Sequence, residues 1–396
     1  MGRVGTRPRA LANWMRAQQA VFEASLRSLA ESESPSRDRE ACEHARDVVV
    51  SMLKEIGYAV RVTRIGSTAG HVLARRARVS RRAGGAQLLL GHYDTVWPRG
   101  TLAYMPYVAE PSRIRGPGVF DMKGGIVEAT LALRALDHFG LTPPLEPVVF
   151  LNCDEETGSR DSGRYVRMLA RRVERVFVLE PALGLDGRLK TVRKAVGRYT
   201  VTVTGRAAHA GLDPEAGASA ILELAIVIQK LFDLNDSARG ITVNVGTIEG
   251  GLQPNVVAPE SRAVVDLRVM TSADALRIDR AIRELAPSTP GTRIEVEGGI
   301  GRPPLENTRR NRALWLAACE AAGALGIPIA QGTAGGGSDG STTSQFAATL
   351  DGLGAVGDGA HASHEHLDVE RTLERAALLA MLLMTPRLAG DGREAA

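Results

Sequence analysis

"EPVVFLNCDEETGS", Glu146 to Ser159, joins an apolar run to three consecutive acids, Asp154, Glu155 and Glu156. The run lacks polar alternation, so it reads as a strand buried on both faces. Adjacent carboxylates repel and raise one another's pKa. They persist on a solvated turn, or where a cation neutralises them. The same pattern recurs on either side. "AQLLLGHYDTV" is a buried strand, Ala86 to Leu90, running into a turn with His92 and Asp94, and "RVFVLEPA" is a strand ending in Glu180 and Pro181. Between them "GGIVEATLALRALDHFG" reads as a helix closed by Gly140, and "SGRYVRMLARRV" as another. Strands alternating with helices predict an α/β sheet with a substantial parallel component. Such sheets collect ligands at the carboxyl ends of their strands.

Upstream, residues 9–31 and 38–57 show helical periodicity around the breaker "SESPSRD", and "YAVRVTRI" follows as a strand. Downstream the texture changes near Ala195. "VGRYTVTVTGRAAHAG", "GASAILELAIVIQKLFDL", "ITVNVGTIEGG", "SRAVVDLRVM", "DALRIDRAIRELA" and "TRIEVEGG" follow in the order β-α-β-β-α-β, the split ferredoxin-like pattern. After Gly301 the α/β texture resumes, with the helix "RNRALWLAACEAAGAL", a Gly-rich loop and a C-terminal helix from about Val369. The expected architecture is a mixed sheet flanked by helices, formed by residues 1–194 and 302–396, with residues 195–301 inserted as an α+β domain. At 396 residues, two domains are the expectation for the length.

The charge balance narrows the classes. A net charge of +4, with arginines scattered among acids, lacks the clustered basic stripe of a nucleic-acid binder. No stretch approaches 18 apolar residues, so no membrane span is expected. Cys42, Cys153 and Cys319 are odd in number and widely spaced, which argues against a disulfide framework and for a reducing, cytoplasmic setting. "MGRVGT" begins like a myristoylation signal, a pattern that arises often by chance.

Each acidic or histidine-bearing turn has two readings. His92 and Asp94 point to the same side of an extended segment, as a metal ligand with its orienting carboxylate or as a surface pair. Asp121, in "RGPGVFDMKGG", precedes a helix and is either a ligand or an N-cap. Glu155 and Glu156 split roles on a bend, or form a solvated acidic turn. "GDGAHASHEHLD" crowds His361, His364 and His366 around Glu365 in a chain with only 8 histidines. Taken together, His, Asp, Glu, Glu and His at successive strand ends supply the nitrogen and oxygen ligands of a dinuclear zinc-type hydrolytic site.

The chain resembles the glutamate carboxypeptidase-like dinuclear zinc peptidases, with relatives among aminoacylases, acetylornithine deacetylase and succinyl-diaminopimelate desuccinylase. "GHYDTV", "GPGVFDMKGG", "CDEETGS", "LEPA", "GRAAHAG", "GGGSDGS" and "GAHASHEHL" occur in that family's order and spacing, from about residue 36 onward. The resemblance implies two Zn²⁺ per chain, with Co²⁺ or Mn²⁺ as substitutes. It implies one ion held by His92, Asp121 and Glu180, and the other by Asp121, Glu156 and His361. Glu155 matches the general base and Asp94 the support of the histidine ligand. In many relatives a second acid follows the bridging aspartate across a cis peptide; here Met122 stands in that place. His209 of "AAHAG" matches a donor to the reaction's oxyanion that reaches the partner subunit's site, so the inserted domain is expected to form a homodimer.

The family's substrates commonly carry a free carboxylate. Arg268 would suit it bidentately, or is a surface strand arginine. Asn255 matches a substrate-contacting position. The backbone of Gly336, Gly337 and Ser338 forms an anion nest or an ordinary loop, and Lys190 and Arg193 are candidates for side-chain selectivity. The expected reaction is hydrolysis of an amide to release a C-terminal, glutamate-like amino acid from a small N-acyl or peptide-type substrate. An N-acyl-amino-acid deacylase or carbamoyl amidohydrolase of the same chemistry is the alternative. A silent metal-binding relative is disfavoured, because the base and all ligand types are present.

Overall fold

The computed structural model describes residues 7–63, 66, 68–77 and 84–388; the "MGRVGT" stretch and the last two residues of "YAVRVTRI" lie outside them. Two compact units divide the chain. The first comprises Met1–Thr191, Asn307–Thr333 and Ser338–Ala396, the second Val192–Glu306 with Ala334–Gly337.

The first unit is built on a six-stranded mixed sheet, ordered Tyr58–Thr63, His71–Arg76, Glu146–Asn152, Ala86–His92, Arg175–Val178, Ala348–Leu350. The first two strands run antiparallel to their neighbours, and the remaining four are mutually parallel. Successive residues of the central strands enter different cores. Leu88, Leu90, Val148, Phe150, Val176 and Val178 pack with Val166 and Leu169 of one layer. Leu89, Val149, Leu151 and Phe177 join the larger core, with the helices Arg39–Glu55, Gly124–His138, Arg309–Leu325 and Val369–Leu383. Burial on both faces explains why these strands are apolar without alternation.

The glycine pair of "DMKGG" is a packing requirement. A Cβ on Gly125 would lie 2.2 Å from the Leu179 carbonyl oxygen, and one on Gly124 would lie 2.6 Å from that of Val119. Only glycine lets the Gly124–His138 helix begin against the strand end that carries Glu180.

The second unit is an antiparallel sheet of Thr242–Gly250, Glu260–Val269, Ala195–Thr204 and Arg293–Arg302, in that spatial order. The helices Ala220–Phe232 and Ser272–Arg283 complete β-α-β-β-α-β. Alternate residues, Tyr199, Val201, Val265 and Leu267, pack against Val227, Leu231, Ile278 and Ile282. The period-two pattern survives here because the sheet buries one face against its helices.

Three details differ from the sequence reading. The 9–31 periodicity is two helices, Arg7–Arg16 and Gln19–Glu31, broken at Ala17–Gln18 without glycine or proline. Both segments still bury their own stripe, Leu11 and Met15 in one, Phe22, Leu26 and Leu29 in the other. The His71–Arg76 strand went unread, because "HVLARR" alternates weakly. The strand begun at Ala86 continues to His92, held in register by pairing His92 with Asn152.

Candidate metal centre

The parallel strands Ala86–His92, Glu146–Asn152 and Arg175–Val178 end at one edge of the sheet. They deliver His92 and Asp94, the Asp154–Glu156 turn, and Glu180 to that edge. The segment Val119–Lys123 adds Asp121, and the turn before His366–Asp368 adds His361. Ligand-type atoms of His92, Asp121 and Glu180 lie within 4.8 Å of one another, as do those of Asp121, Glu156 and His361.

Asp121 belongs to both groups through different oxygens. Its Oδ1 lies 3.6 Å from His92 Nε2, and its Oδ2 lies 3.5 Å from His361 Nε2. Glu180 Oε1 is 3.5 Å from His92 Nε2, and Glu156 Oε2 is 3.3 Å from His361 Nε2. These separations are long for charge-assisted hydrogen bonds. They suit neighbouring ligands in a tetrahedral shell, where bonds of about 2.0–2.1 Å set ligands roughly 3.3–3.4 Å apart. Asp121 Oδ1 and Glu156 Oε1 are moreover buried without a hydrogen-bond partner, a costly state unless a cation meets them. The donor set is carboxylate and imidazole, with no thiolate, and fits a divalent metal pair.

Electrostatics point the same way. Burial pulls the His92 imidazole down, but Asp121, Asp94 and Glu180 overcome it and hold its pKa well above the ordinary value. Asp121 and then Glu156 raise His361 to about 10, against burial. Burial works to raise Asp121, yet His361 and His92 leave it lowered, while burial raises Glu156. The pocket of acids favours positive charge, which a bound cation would supply.

Supporting contacts orient the group. His92 Nδ1 lies 3.0 Å from the Asp94 carbonyl oxygen and 3.4 Å from Asp94 Oδ1, so the ring's proton sits on Nδ1 and Nε2 faces the acids. The carbonyl, rather than the expected carboxylate, makes the shorter contact. The Asp94 carboxylate accepts instead from Ser36 Oγ at 2.7 Å and from the backbone N–H groups of Glu155 and Glu156 at 3.4 and 3.3 Å. It thereby sits beneath the acidic turn. Asp154 is buried rather than solvated, and its carboxylate caps the N–H groups of Asp161 and Ser162. Glu155 is half-buried beside Glu156.

His361 has φ of 62°, uncommon for a residue with a side chain and typical of functional turns. The Asp121–Met122 peptide is cis, and Met122 Sδ accepts the His92 N–H at 3.3 Å. His364 is exposed, and His366 Nδ1 faces the His364 carbonyl.

Most of the other predicted residues belong to the second unit. His209 is exposed, and its Nδ1 accepts the N–H groups of Gly211 and Leu212, each at 3.2 Å; its proton is therefore on Nε2. The exposed Asn255 accepts the Ala210 N–H through its backbone carbonyl. Arg268 already forms a bidentate pair with Asp266, at 2.7 and 3.1 Å. Arg193 is buried and donates to the Gly336 carbonyl at 3.1 Å, in the segment that also carries Gly337. Ser338, in the first unit, is buried with its hydroxyl committed to Asp351 at 2.6 Å. Lys190 is buried, with Nζ 4.0 Å from Glu180 Oε2. Sequence reasoning missed Ser36 and Trp97. Neither carries a local signal, because their contacts to Asp94 and Glu365 span distant segments.

Over 376 residues the chain is 27% identical to carboxypeptidase G2 of Pseudomonas sp. (strain RS-16), covering 93% of this chain and 89% of that protein. Its fold matches aminopeptidase PepT of Bacillus cereus with a TM-score of 0.73 at 20% identity, over 92% of this chain and 98% of the other. It also matches the Bacillus subtilis YXEP protein, described as a dinuclear metal binding peptidase from M20 family. That match has a TM-score of 0.69 at 15% identity, over 93% and 98% of the two chains. The model of peptidase family M20/M25/M40 matches residues 88–385, and the chain belongs to that family as a metal-dependent amidohydrolase.

Proposed function

We propose that the chain cleaves an amide bond to release a C-terminal, glutamate-like amino acid from a small N-acyl or peptide-type substrate. The observation that carries this is the pair of ligand clusters sharing Asp121, with Glu155 beside Glu156 on the same turn. His92, Asp121 and Glu180 would hold one Zn²⁺, and Asp121, Glu156 and His361 the other. When bound, the ions supply Lewis-acid polarisation of a carbonyl and acidify water near neutrality. Glu155 takes the proton of the attacking water and returns it to the leaving amine. Asp94 keeps this acid aligned by receiving the N–H groups of the turn.

His209 donates from Nε2 to the developing oxyanion of the partner subunit's reaction, a role supported by the two backbone donors that occupy Nδ1. Dimerisation through residues 195–301 is supported by the exposed edge strand Thr242–Gly250 and by exposed Ile248, Leu252, Ile221 and Leu222. Arg268 takes the substrate carboxylate by exchanging Asp266 for it, with Asn255 and the Gly336–Ser338 backbone contributing donors. Three free cysteines support a reducing, cytoplasmic setting. Among the described residues no helix is long and apolar enough to cross a membrane.

The test is a panel of N-acyl amino acids and dipeptides varied on the C-terminal side, assayed with zinc analysis and sedimentation. Preferred turnover of C-terminal glutamate by a two-zinc dimer is expected. Selection on the acyl side alone would favour the deacylase, and a metal-free or monomeric active protein would overturn the proposal.

A further inference from the structure

One buried carboxylate outside the ligand set gathers an unusual number of donors. Glu365 is 1% exposed. Its Oε1 accepts the backbone N–H groups of Phe120 at 3.0 Å and Asp121 at 3.1 Å. Its Oε2 accepts the Gly118 N–H at 2.9 Å and the Trp97 indole N–H at 2.7 Å. The main chain continues the connection. The Gly116 N–H donates to the Glu365 carbonyl at 3.4 Å, and the Glu365 N–H donates to the Ala362 carbonyl at 3.0 Å. One side chain thus ties down the loop that ends in Asp121 and belongs to the turn that carries His361.

We propose that Glu365 is the positioning residue of the metal pair, locking the Asp121 loop to the His361 turn so that the two oxygens of Asp121 face their two histidines. This rests on the proposed ligand roles of Asp121 and His361. A carboxylate has about four lone-pair sites, and all four are used here. No neutral side chain offers four acceptors. Glutamine would serve two donors with its oxygen and turn an NH₂ toward the other two, leaving buried N–H groups unpaired. The Asp121 main chain would then lose the contact that fixes where its carboxylate starts.

The test measures Zn²⁺ affinity by competition with a chromogenic chelator, the visible spectrum of the Co²⁺-loaded protein, and thermal unfolding of the metal-free protein. Glu365→Gln is expected to bind Zn²⁺ 10–100-fold more weakly, the usual effect of removing a partner that orients ligands, with an altered Co²⁺ spectrum. Glu365→Asp keeps the charge but falls one methylene short. It is expected to lose less affinity, and it serves if the glutamine variant does not fold. Wild-type Zn²⁺ affinity and Co²⁺ spectrum in either folded variant, even with lowered metal-free stability, would overturn the proposal. Wild-type protein that binds no Zn²⁺ would instead overturn the ligand assignment beneath it.

Discussion

Asp121 and Glu128 stand seven residues apart in sequence, and both bury carboxylate oxygens that lack hydrogen-bond partners. Their surroundings differ. Asp121 faces two imidazoles and two further acids gathered from distant segments. Glu128 lies inside the Gly124–His138 helix, wholly buried, with Arg375 as its influential charge. Burial alone raises the Glu128 pKa well above the ordinary 4.5, and Arg375 only partly opposes it. An orphaned acid is thus no sign of a metal. Convergence of several ligand types at ligand spacing is the sign, because only a cation can satisfy all of them together.

Replacing the two acids separately tests that contrast most directly. Asp121→Ala is expected to abolish retention of both ions and all measurable turnover, by metal analysis and assay. Retention of one ion per chain would break the bridging assignment. Glu155→Gln is expected to keep both ions while kcat falls about 10²–10⁴-fold, the usual weight of a general base. Unchanged turnover would remove Glu155 from the mechanism. Chelation should lower the wild-type stability by about 4 kcal/mol when the ion had been present at 1,000 times its Kd. The same treatment should leave Asp121→Ala unmoved in thermal unfolding.

Glu128→Gln gives the smallest effect, and on stability alone. Because folding raises the Glu128 pKa, the folded state holds this proton more tightly than the unfolded one. Its contribution is fully present below about pH 4.5 and is lost as pH rises toward the folded pKa, at up to ~1.4 kcal/mol per pH unit. The glutamine variant should therefore show a flatter stability profile above that pH in denaturant titrations, with metal content unchanged. A loss of metal in Glu128→Gln would erase the distinction between the two acids.

Much of the centre was legible as residue types at strand ends. His92, Glu156 and Glu180 follow apolar runs directly, so their placement needed only the α/β order. Local sequence cannot show that the Asp161–Ser162 backbone folds back onto Asp154. Ser36 and Trp97 were invisible for the same reason. Arg268 and Ser338 were legible as polar groups, but not as groups already occupied by Asp266 and Asp351.

The sequence by itself determined the alternation of strands and helices, the inserted β-α-β-β-α-β segment and the chemical types available to bind a metal. These follow from hydrophobic period and composition, which are local properties. Tertiary structure alone decided that the two oxygens of Asp121 face His92 and His361, and that Glu365 receives Trp97, Gly118, Phe120 and Asp121 together. Those contacts join segments far apart in the chain. They exist only once the sheet register and the packing of the Gly124–His138 helix have fixed where each strand end points.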